Sequence, residues 1–474
     1  MPDLMIVSQR PPVGEATVVS PFDGRDLDTV ATSGADHVED ALGVAEALYR
    51  DRDGWLSVPD RVAILSRTAE IMESQVEELT VLAASEGGKP YTDSKVEVIR
   101  AIDGVRLCME ALRTEAGKVI PLGTTKATMG RTGFTIKEPI GVVVAVSAFN
   151  HPLNLIVHQV GPAVASGCPV VVKPASDTPL SCLRFVEILR EAGLPEGWAQ
   201  AIVTADNATA TKLVTDKRVA FFSFIGSARV GWMLRSKLAP GARCALEHGG
   251  VAPLILAEPF RAEAALPAIA KGGFYHAGQV CVSVQRVYAP AAKAQDIAQQ
   301  LADIADKLVV GAPEDPATEV GPIIRHEEAD RVEEWVKEAV DAGAELLCGG
   351  KRISDSCYAP TVLLNPPEDA KVSKDEVFGP VVCVYGYDKL DDAVARANSL
   401  PVSFQSAVFC DDINTAIGLG KRLNASAVMI NDHTAFRDDV MPFAGLKESG
   451  HGIGGIPYTF EDMQIDKLLV IKTE

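Results

Sequence analysis

One cysteine, Cys281, has a sequence context that suits covalent chemistry. It ends the segment Phe274-Tyr-His-Ala-Gly-Gln-Val-Cys281, so its thiol follows a turn that contains glycine. A loop of this kind can present a thiol nucleophile together with its own backbone N–H to a carbonyl group. The alternative for any single cysteine is a small buried residue without a chemical role. From this segment alone, both interpretations stay open.

Two polar residues at predicted strand ends could act beside such a nucleophile. Glu247 lies in Leu246-Glu-His-Gly-Gly250, and Asn150 follows the predicted strand of residues 142–148. A strand-end carboxylate before two glycines is either chemically active or a turn residue that accepts backbone hydrogen bonds. The side-chain amide of Asn150 is likewise either a hydrogen-bond donor to a reacting group or a turn former.

A phosphate site is indicated where a predicted strand runs into a helix, in Phe224-Ile-Gly-Ser-Ala-Arg-Val-Gly231. Ser227 is the predicted N-cap of that helix, and the first-turn amides can face a diphosphate. The segment is neither GxGxxG nor a P-loop, so a plain helix start is the alternative. Lys173 ends the predicted strand of residues 169–173, at the sheet edge where nucleotides bind; the alternative is a solvated lysine.

The surrounding elements must position these residues. Residues 34–117 have the periodicity of amphipathic helices. From Gly141 onward short β-rich runs alternate with helical segments, and a second such series follows Gly250. This alternation predicts parallel sheets that are covered by helices on both faces. We therefore predict an α/β fold with two doubly wound parallel-sheet domains, a Rossmann-like cofactor domain and a catalytic domain, joined near Gly249-Gly250.

Two further segments have no obvious partner within either domain. Residues 118–137 are polar and β-branched, as in a hairpin, and residues 468–472 resemble a lone strand. Such strands can form a sheet between subunits, which predicts a homodimer or homotetramer. The predicted domains are residues 1–117 and 138–248 for the dinucleotide, 249–445 for catalysis, and 118–137 and 446–474 for oligomerisation.

Composition excludes several classes of protein. The 474 residues are enough for two or more cores, and a net charge of −19 disfavours nucleic acid and anionic membranes as partners. The nine cysteines contain no CxxC or CxxH pair, which predicts reduced thiols and no metal site. Residues 1–10 lack the order of a signal peptide, and no apolar run approaches the ~18 residues of a membrane span, so we expect a cytoplasmic protein.

Taken together, these segments resemble the aldehyde dehydrogenase superfamily over essentially the whole chain. Each motif is unspecific alone, but the joint order and spacing are specific. The matching segments are Phe149-Asn-His-Pro152, Lys173-Pro-Ala175, Phe224-Ile-Gly-Ser227, Leu246-Glu-His-Gly-Gly250, Gly278-Gln-Val-Cys281, Glu376-Val-Phe-Gly-Pro380 and Met441-Pro-Phe-Ala-Gly-Leu-Lys-Glu-Ser-Gly450. The resemblance implies an NAD(P)-dependent oxidation of an aldehyde substrate to its carboxylic acid.

The resemblance also implies catalytic roles for three residues. Cys281 resembles the nucleophile that adds to the aldehyde, and the Asn150 amide with the Cys281 N–H resembles the oxyanion hole of the thiohemiacetal. Glu247 resembles the base that activates water to hydrolyse the thioester. Relatives that transfer the acyl group to coenzyme A generally lack this glutamate, so the expected product is a free acid and a CoA-acylating enzyme is the alternative.

Two alternatives lie outside the dehydrogenase reaction. The first is a catalytically silent structural or binding protein, which the complete set of nucleophile, base and oxyanion donor disfavours. The second is a thioesterase or esterase that uses Cys281 and Glu247 without redox chemistry, which the cofactor residues Lys173 and Glu376 disfavour.

The implied cofactor is NAD or NADP. Lys173 resembles the ligand of the adenosine ribose, and three positions later this chain has Ser176 where many NAD-preferring relatives carry a glutamate. Since a carboxylate there would repel a 2′-phosphate, its absence predicts dual use or an NADP preference. The other implied cofactor residues hold the diphosphate, Gly226 and Ser227, and the nicotinamide ribose, Glu376 and Phe378.

Arg100 and His151 are the residues that we expect to select the substrate. Both resemble positions at the entrance of lactaldehyde and phosphonoacetaldehyde dehydrogenases, and Gly452-Ile-Gly-Gly-Ile-Pro-Tyr-Thr is also similar to those branches. The two side chains could hold the hydroxyl, carboxylate, phosphonate or sulfonate of a short aldehyde. The alternative for Arg100 is a surface or interdomain ion pair.

Three positions depart from the usual motifs. His248 replaces a leucine, His276 stands where an asparagine is common, and Ala444 replaces a frequent glycine. Because it is adjacent to Glu247, His248 is either a proton relay or a packed ring with a satisfied N–H.

Overall fold

The computed structural model describes residues 3–472. Its strands are β1 (Gly14–Val19), β2 (Asp26–Thr32), β3 (Val119–Ile120), β4 (Arg131–Pro139), β5 (Val142–Val146), β6 (Val170–Lys173), β7 (Ala199–Ala201), β8 (Val219–Ile225), β9 (Arg243–Glu247), β10 (Ala252–Leu256), β11 (Val284–Pro290), β12 (Glu345–Cys348), β13 (Thr361–Leu364), β14 (Val381–Tyr387), β15 (Val402–Ser403), β16 (Gln405–Phe409), β17 (Ala427–Ile430), β18 (Leu446–Lys447), β19 (Gly450–His451) and β20 (Gln464–Lys472).

The helices follow the same order along the chain. They are α1 (Ala35–Arg50), α2 (Val58–Ser74), α3 (Val76–Gly87), α4 (Tyr91–Thr114), α5 (Asn154–Ser166), α6 (Leu180–Glu191), α7 (Asn207–Thr215), α8 (Ala228–Arg235), α9 (Ala262–Phe274), α10 (Ala291–Ala305), α11 (His326–Asp341), α12 (Lys371–Lys374), α13 (Leu390–Ala397), α14 (Ile413–Gly420) and α15 (Ile456–Asp462), with short 3₁₀ turns at Arg52–Gly54 and Tyr275–Gly278. Within the described range, no helix is both long enough and apolar enough to span a membrane.

The first parallel sheet has the strand order β19-β9-β8-β5-β6-β7. All neighbouring pairs are parallel except β19 with β9. Alternate residues of β5 enter two different cores: Val143 and Ala145 pack with α2, α4, α5 and α6, whereas Val142 and Val144 pack with α1, α7 and α8. A strand that is buried on both faces must be apolar throughout, which explains the run Val-Val-Val-Ala-Val.

The second parallel sheet has the order β12-β13-β14-β11-β10-β16-β17, with β12 as its antiparallel edge. Leu254 and Leu256 of β10 face a core with α9 and α10, and Ile255 faces a core with α11, α13 and α14. The chain leaves the first sheet at Glu247 and enters the second at Ala252. The predicted fold class, α/β with two doubly wound parallel sheets, is therefore confirmed. The domain boundary near Gly249-Gly250 stays a prediction.

A separate antiparallel sheet has the order β20-β4-β3. β20 pairs with β4 over its whole length, from Gln464 opposite Pro139 to Lys472 opposite Arg131. The sequence analysis assigned all of residues 446–474 to this element, but β19 and α15 instead pack with the first sheet and its helices α4 and α5. The reason is that Ile456 and Phe460 are apolar and become buried in that core.

The outer part of β20 is apolar and exposed. Its exposed residues are Leu468, Leu469, Val470 and Ile471, each between 38% and 52% accessible. Consecutive exposed apolar residues on a strand are a surface that a second copy of the chain can cover. The intersubunit role of this strand stays a prediction.

We expect Val470→Glu to dissociate a homo-oligomer, because association would bury the new carboxylate without a partner. The side chain is half exposed in the single chain, so the fold itself should be unaffected. Light scattering should show a drop to a smaller assembly, with association at least ~10-fold weaker, about 1.4 kcal/mol. Asp466→Glu, in the same strand, is the control. An unchanged mass for Val470→Glu would contradict the assignment of this strand to an interface.

Candidate active site

A cavity of about 1310 Å³ lies at the carboxyl ends of β5, β8 and β9 and is closed by loops of the second sheet. This is the place where open parallel sheets bind their ligands. Nine of the predicted site residues line it: Arg100, Asn150, His151, Gly226, Ser227, Glu247, Cys281, Glu376 and Phe378. Lys173 and Ser176 are not among the lining residues, although their neighbours Ala175 and Asp177 are.

Cys281 is presented by a strained turn. His276, Ala277 and Gly278 all have left-handed backbone conformations, with φ of 49°, 53° and 70°. A Cβ on Gly278 would collide with the backbone carbonyl of Gly379, so glycine is required there for two reasons. The Gln279 side chain fixes the turn, because its Nε2 donates to the His276 carbonyl over 3.2 Å and its Oε1 accepts from another loop. The thiol thus has a defined position.

Asn150 is connected directly to the cysteine loop. Its buried Nδ2 donates to the Gln279 carbonyl over 2.9 Å, two residues before Cys281. An amide nitrogen carries two hydrogens, so a second N–H is left for the cavity. The Asn150 backbone carbonyl accepts a hydrogen bond from Lys89 over 3.1 Å. Asn150 can therefore donate to an oxygen that lies beside the cysteine.

Glu247 ends β9 and faces the cavity. Its carboxylate makes no hydrogen bond within the described part of the chain, so the alternative of a turn residue that accepts backbone hydrogen bonds is not what the structure shows. Burial raises its pKa to about 7, and Arg437 acts in the opposite direction. A carboxylate with such a pKa can take up and release a proton near neutral pH.

The Cys281 thiol is in the same electrostatic environment. Burial raises its pKa, the carboxylates Glu376 and Glu247 raise it further, and Arg437 lowers it. The free protein therefore holds Cys281 as a thiol at neutral pH. To act as a nucleophile it must transfer its proton to an acceptor.

The strand-to-helix turn at Gly226 and Ser227 is exposed to the cavity. Gly226 is held from both sides, because its N–H donates to the Glu247 carbonyl over 3.0 Å and its carbonyl lies 3.0 Å from His248 Nδ1. Ser227 occupies the predicted N-cap of α8, but its hydroxyl makes no capping hydrogen bond. The Ser227 hydroxyl and the first-turn amides therefore stay available to a ligand.

One oxygen of the Glu376 carboxylate has no hydrogen-bond partner in the described structure, while the Gly250 backbone N–H lowers the pKa of the group. This oxygen, Oε1, is buried, and burial raises the pKa of Glu376 to about 8. A Cβ on Gly249 would collide with this carboxylate. Nearby, Phe378 packs edge-on against Phe149 with ring centroids 5.8 Å apart. A buried acceptor of this kind fits the hydroxyl groups of a ribose, which donate hydrogen bonds.

Lys173 and Ser176, the predicted residues on the adenosine side of the cofactor site, lie outside the cavity lining. Lys173 is half buried, and its Nζ donates to the Pro174 carbonyl over 2.9 Å. Ser176 is exposed and adds no charge. Asp177, one position further, is neutralised by an ion pair with Arg325.

Arg100 and His151 have different surroundings. Arg100 forms a two-pronged ion pair with Asp439, with Nε–Oδ2 at 3.1 Å and Nη2–Oδ1 at 2.6 Å. Both the cavity position and the ion pair that the sequence analysis weighed for Arg100 are therefore present. His158 also contacts Asp439, with Nε2 at 2.8 Å from Oδ1. His151 lies beside Lys89, with Nδ1 at 2.8 Å from Nζ.

Arg437 is a cavity residue that sequence reasoning missed. Its Nη1 donates to the Met441 carbonyl over 2.8 Å, and the guanidinium lies 4.4 Å from the Phe443 ring centroid. Its Nη2 is buried and has no partner within the described residues. No carboxylate of the described chain lies within ion-pair distance. The loop around it has no motif, so its sequence position gave no signal.

The two unusual histidines are packing residues in this structure. The His248 ring lies between Phe224 and Trp232, with both centroid distances at 5.6 Å, and Nδ1 is satisfied by the Gly226 carbonyl. Of the two alternatives for His248, a proton relay or a packed ring, the structure agrees with the packed ring. His276 is fully buried, and neither ring nitrogen has a partner in the described structure.

Comparison with curated proteins gives relatives that match most of the chain. A 3-sulfolactaldehyde dehydrogenase of Priestia aryabhattai is 38% identical over 413 residues, which are 87% of this chain and 86% of the relative. A lactaldehyde dehydrogenase of Methanocaldococcus jannaschii is 33% identical over 458 residues, 96% of each chain. Both names agree with the aldehyde branches that the motifs resemble.

Solved structures give the same result. Aldehyde dehydrogenase 21 from Physcomitrella patens, in complex with the reaction product succinate, matches with a TM-score of 0.93 at 33% identity and covers 98% of this chain and 96% of its own. Glyceraldehyde-3-phosphate dehydrogenase GapN from Methanocaldococcus jannaschii, complexed with NADP, matches with a TM-score of 0.92 at 32% identity and covers 98% of this chain and 100% of its own.

A model of the aldehyde dehydrogenase family matches residues 8–468 of the chain. This match, the relatives and the cofactor-bound neighbours confirm the predicted reaction class and the cofactor, NAD or NADP. The chain is an NAD(P)-dependent oxidoreductase that belongs to the aldehyde dehydrogenase family.

Proposed function

We propose that this protein oxidises a short aldehyde with an anionic tail to the carboxylic acid, through a thiohemiacetal and a thioester on Cys281. The observation that carries the proposal is the content of one cavity. It combines the thiol of Cys281 and the second amide N–H of Asn150 with two groups that have no partner among the described residues, the carboxylate of Glu247 and Nη2 of Arg437.

The first step forms a C–S bond. The Cys281 thiol gives its proton to water in the cavity, and its sulfur attacks the aldehyde carbon, which places a negative charge on the former carbonyl oxygen. The Asn150 amide and the Cys281 backbone N–H stabilise that oxyanion. A bound NAD or NADP would supply the hydride acceptor that the collapse of this oxyanion to a thioester requires. Glu376 and the first turn of α8 would hold its nicotinamide ribose and its diphosphate.

The second step breaks the C–S bond. Glu247 takes a proton from water, the hydroxide attacks the thioester carbon, and the sulfur leaves as thiolate with release of the acid. The presence of Glu247 supports hydrolysis over transfer of the acyl group to coenzyme A, which stays the second candidate within the family.

We further propose NADP as the preferred cofactor. Ser176 introduces no charge that would repel a 2′-phosphate. Arg229, in the first turn of α8, lines the cavity and has no ion pair with any described residue, so it adds a free positive charge.

The anionic tail is inferred from the difference between two arginines. Arg100 is neutralised by Asp439, whereas Arg437 has no paired carboxylate among residues 3–472, and its buried Nη2 has no partner there. A sulfonate or carboxylate tail would satisfy that nitrogen by a charge-assisted hydrogen bond. Relatives named for sulfolactaldehyde and a neighbour with bound succinate support this substrate class. His151 is proposed as a further substrate contact, and Arg100 as the residue that completes the cavity wall.

Replacing the proposed nucleophile tests the reaction. Cys281→Ala should abolish cofactor reduction with lactaldehyde and succinic semialdehyde, because no thioester can form. Absorbance of the reduced cofactor measures this, and fluorescence titration should show that NADP still binds. Cys244→Ala changes the other partly exposed cysteine, which lies outside the cavity, and should keep full activity. Residual turnover in Cys281→Ala would refute the covalent mechanism.

Glu247 should control the pH dependence of hydrolysis. Because the base must be ionised and its pKa is raised to about 7, thioester hydrolysis should fall below pH 7 and level off above about pH 8. In Glu247→Gln the fall of the rate below pH 7 should disappear. The variant should form one equivalent of reduced cofactor and then stop turning over, which stopped-flow absorbance detects. Glu263→Gln, at an exposed position, is the control. Full multiple turnover by Glu247→Gln would assign the base elsewhere, and acceleration of wild type by coenzyme A would favour the acylating alternative.

Arg437 should select the anionic tail. Arg437→Met should lower kcat/KM for succinic semialdehyde by roughly 100-fold, about 3 kcal/mol for a charge-assisted hydrogen bond, and lower it much less for propionaldehyde. Arg437→Lys keeps the charge, so its kcat/KM for succinic semialdehyde should lie between the values for wild type and Arg437→Met. Arg113→Met, at an exposed position, should match wild type. Equal losses with both aldehydes would show that Arg437 supports the fold and not the tail.

A further inference from the structure

Lys89 lies just before α4 and is completely buried. Its ammonium contacts three groups: the Glu97 carboxylate, the Asn150 carbonyl at 3.1 Å and His151 Nδ1 at 2.8 Å. An ammonium has three N–H donors and no acceptor. The number of donors therefore equals the number of surrounding acceptors.

Charge neutrality in this cluster comes from Glu97. Its Oε2 pairs with Lys89, while its Oε1 accepts from the backbone N–H groups of Leu153 and Asn154 at 3.0 and 2.9 Å, at the start of α5. A single carboxylate thus holds both Lys89 and the chain that follows His151. Losing the ammonium would leave a buried carboxylate unpaired, which is strongly unfavourable.

The contact with Lys89 decides which nitrogen of His151 carries the proton. Because an ammonium can only donate, its ion pair with Glu97 favours Nδ1 of His151 as the acceptor, which places the hydrogen of the neutral ring on Nε2. The groups facing His151 are the cations Lys89 and Arg100, the rings of His158, His276 and Tyr275, and Glu97 at 3.8 Å from Nδ1. The ring is therefore neutral, and Nε2 has no hydrogen-bond partner within the described chain.

We propose that Lys89 is a positioning residue that fixes His151 as an Nε2–H donor, which recognises an oxygen of the substrate outside the aldehyde group. His151 lines the cavity that holds Cys281, whereas Lys89 is shielded from it. Lys89 acts through His151 and also holds the backbone carbonyl of Asn150. It therefore couples substrate recognition to the proposed oxyanion donor. The substrate part of this proposal rests on the proposed function; the proton position does not.

The proton position is tested without turnover. Solid-state ¹⁵N spectra of histidine-labelled protein, with His151→Asn to assign the signal, should show Nδ1 unprotonated and Nε2 protonated in wild type. Lys89→Met should shift His151 toward the other tautomer or a mixture. Lys95→Met removes an exposed lysine of α4 and should leave the spectrum unchanged. Wild-type His151 with its proton on Nδ1 overturns the proposal, whether or not any Lys89 variant folds.

Recognition is tested by paired substrates. For Lys89→Met, the ratio of kcat/KM for lactaldehyde to that for propionaldehyde should fall roughly tenfold, the loss of one hydrogen bond. In a His151→Phe background, the same Lys89 change should leave the ratio unaltered, because the donor is already absent. If Lys89→Met loses the same factor in kcat/KM for lactaldehyde and for propionaldehyde, and the His151 tautomer is unchanged, the proposal is overturned. If wild type oxidises no aldehyde, the proposed function fails, while the ¹⁵N result still decides the role of Lys89.

Discussion

The hydrogen bond from Asn150 Nδ2 to the Gln279 carbonyl is the contact on which the catalytic geometry depends. It connects the loop after β5, in the first parallel sheet, to the turn before Cys281, in the second. Since each sheet has its own cores, the relative position of the proposed oxyanion donor Asn150 and the proposed nucleophile Cys281 is set where the two halves of the chain meet. Lys89 and Glu97 hold one side of this contact, and the side chain of Gln279 holds the other.

The cavity also contains several buried polar atoms whose desolvation is not offset by a hydrogen bond to a described residue. Glu376 Oε1 and Arg437 Nη2 are buried without partners in the described structure, and burial raises the pKa of Glu247. By contrast, the buried carboxylate of Glu86 accepts from two backbone amides at the start of α6, which is a structural use. Unpaired buried groups destabilise the free protein, and a cavity that keeps several of them is organised for ligands that would satisfy them.

Much of the fold and part of the site could be predicted from sequence, for identifiable reasons. Strands such as β5 and β10 are buried on both faces, so their apolar runs are visible in the chain. Cys281, Glu247 and Asn150 stand in motifs of known order. Lys89 and Arg437 could not be found in this way, because a buried lysine or arginine looks like a solvated one until its surroundings are known. The pairing of Arg100 with Asp439 joins residues 339 positions apart, and no local pattern predicts it.

The glycines of the motifs are explained by side-chain clearance more than by backbone conformation. Gly249 and Gly454 do not have left-handed φ values, yet a Cβ on either would collide with a carboxylate: Glu376 in the first case and Glu247 in the second. Gly231 is similarly placed against the His248 ring. Each glycine gives space to a functional or packing side chain from another segment. Each carboxylate lies against bare backbone and forms no ion pair with another described residue, and burial is the main cause of the raised pKa of both.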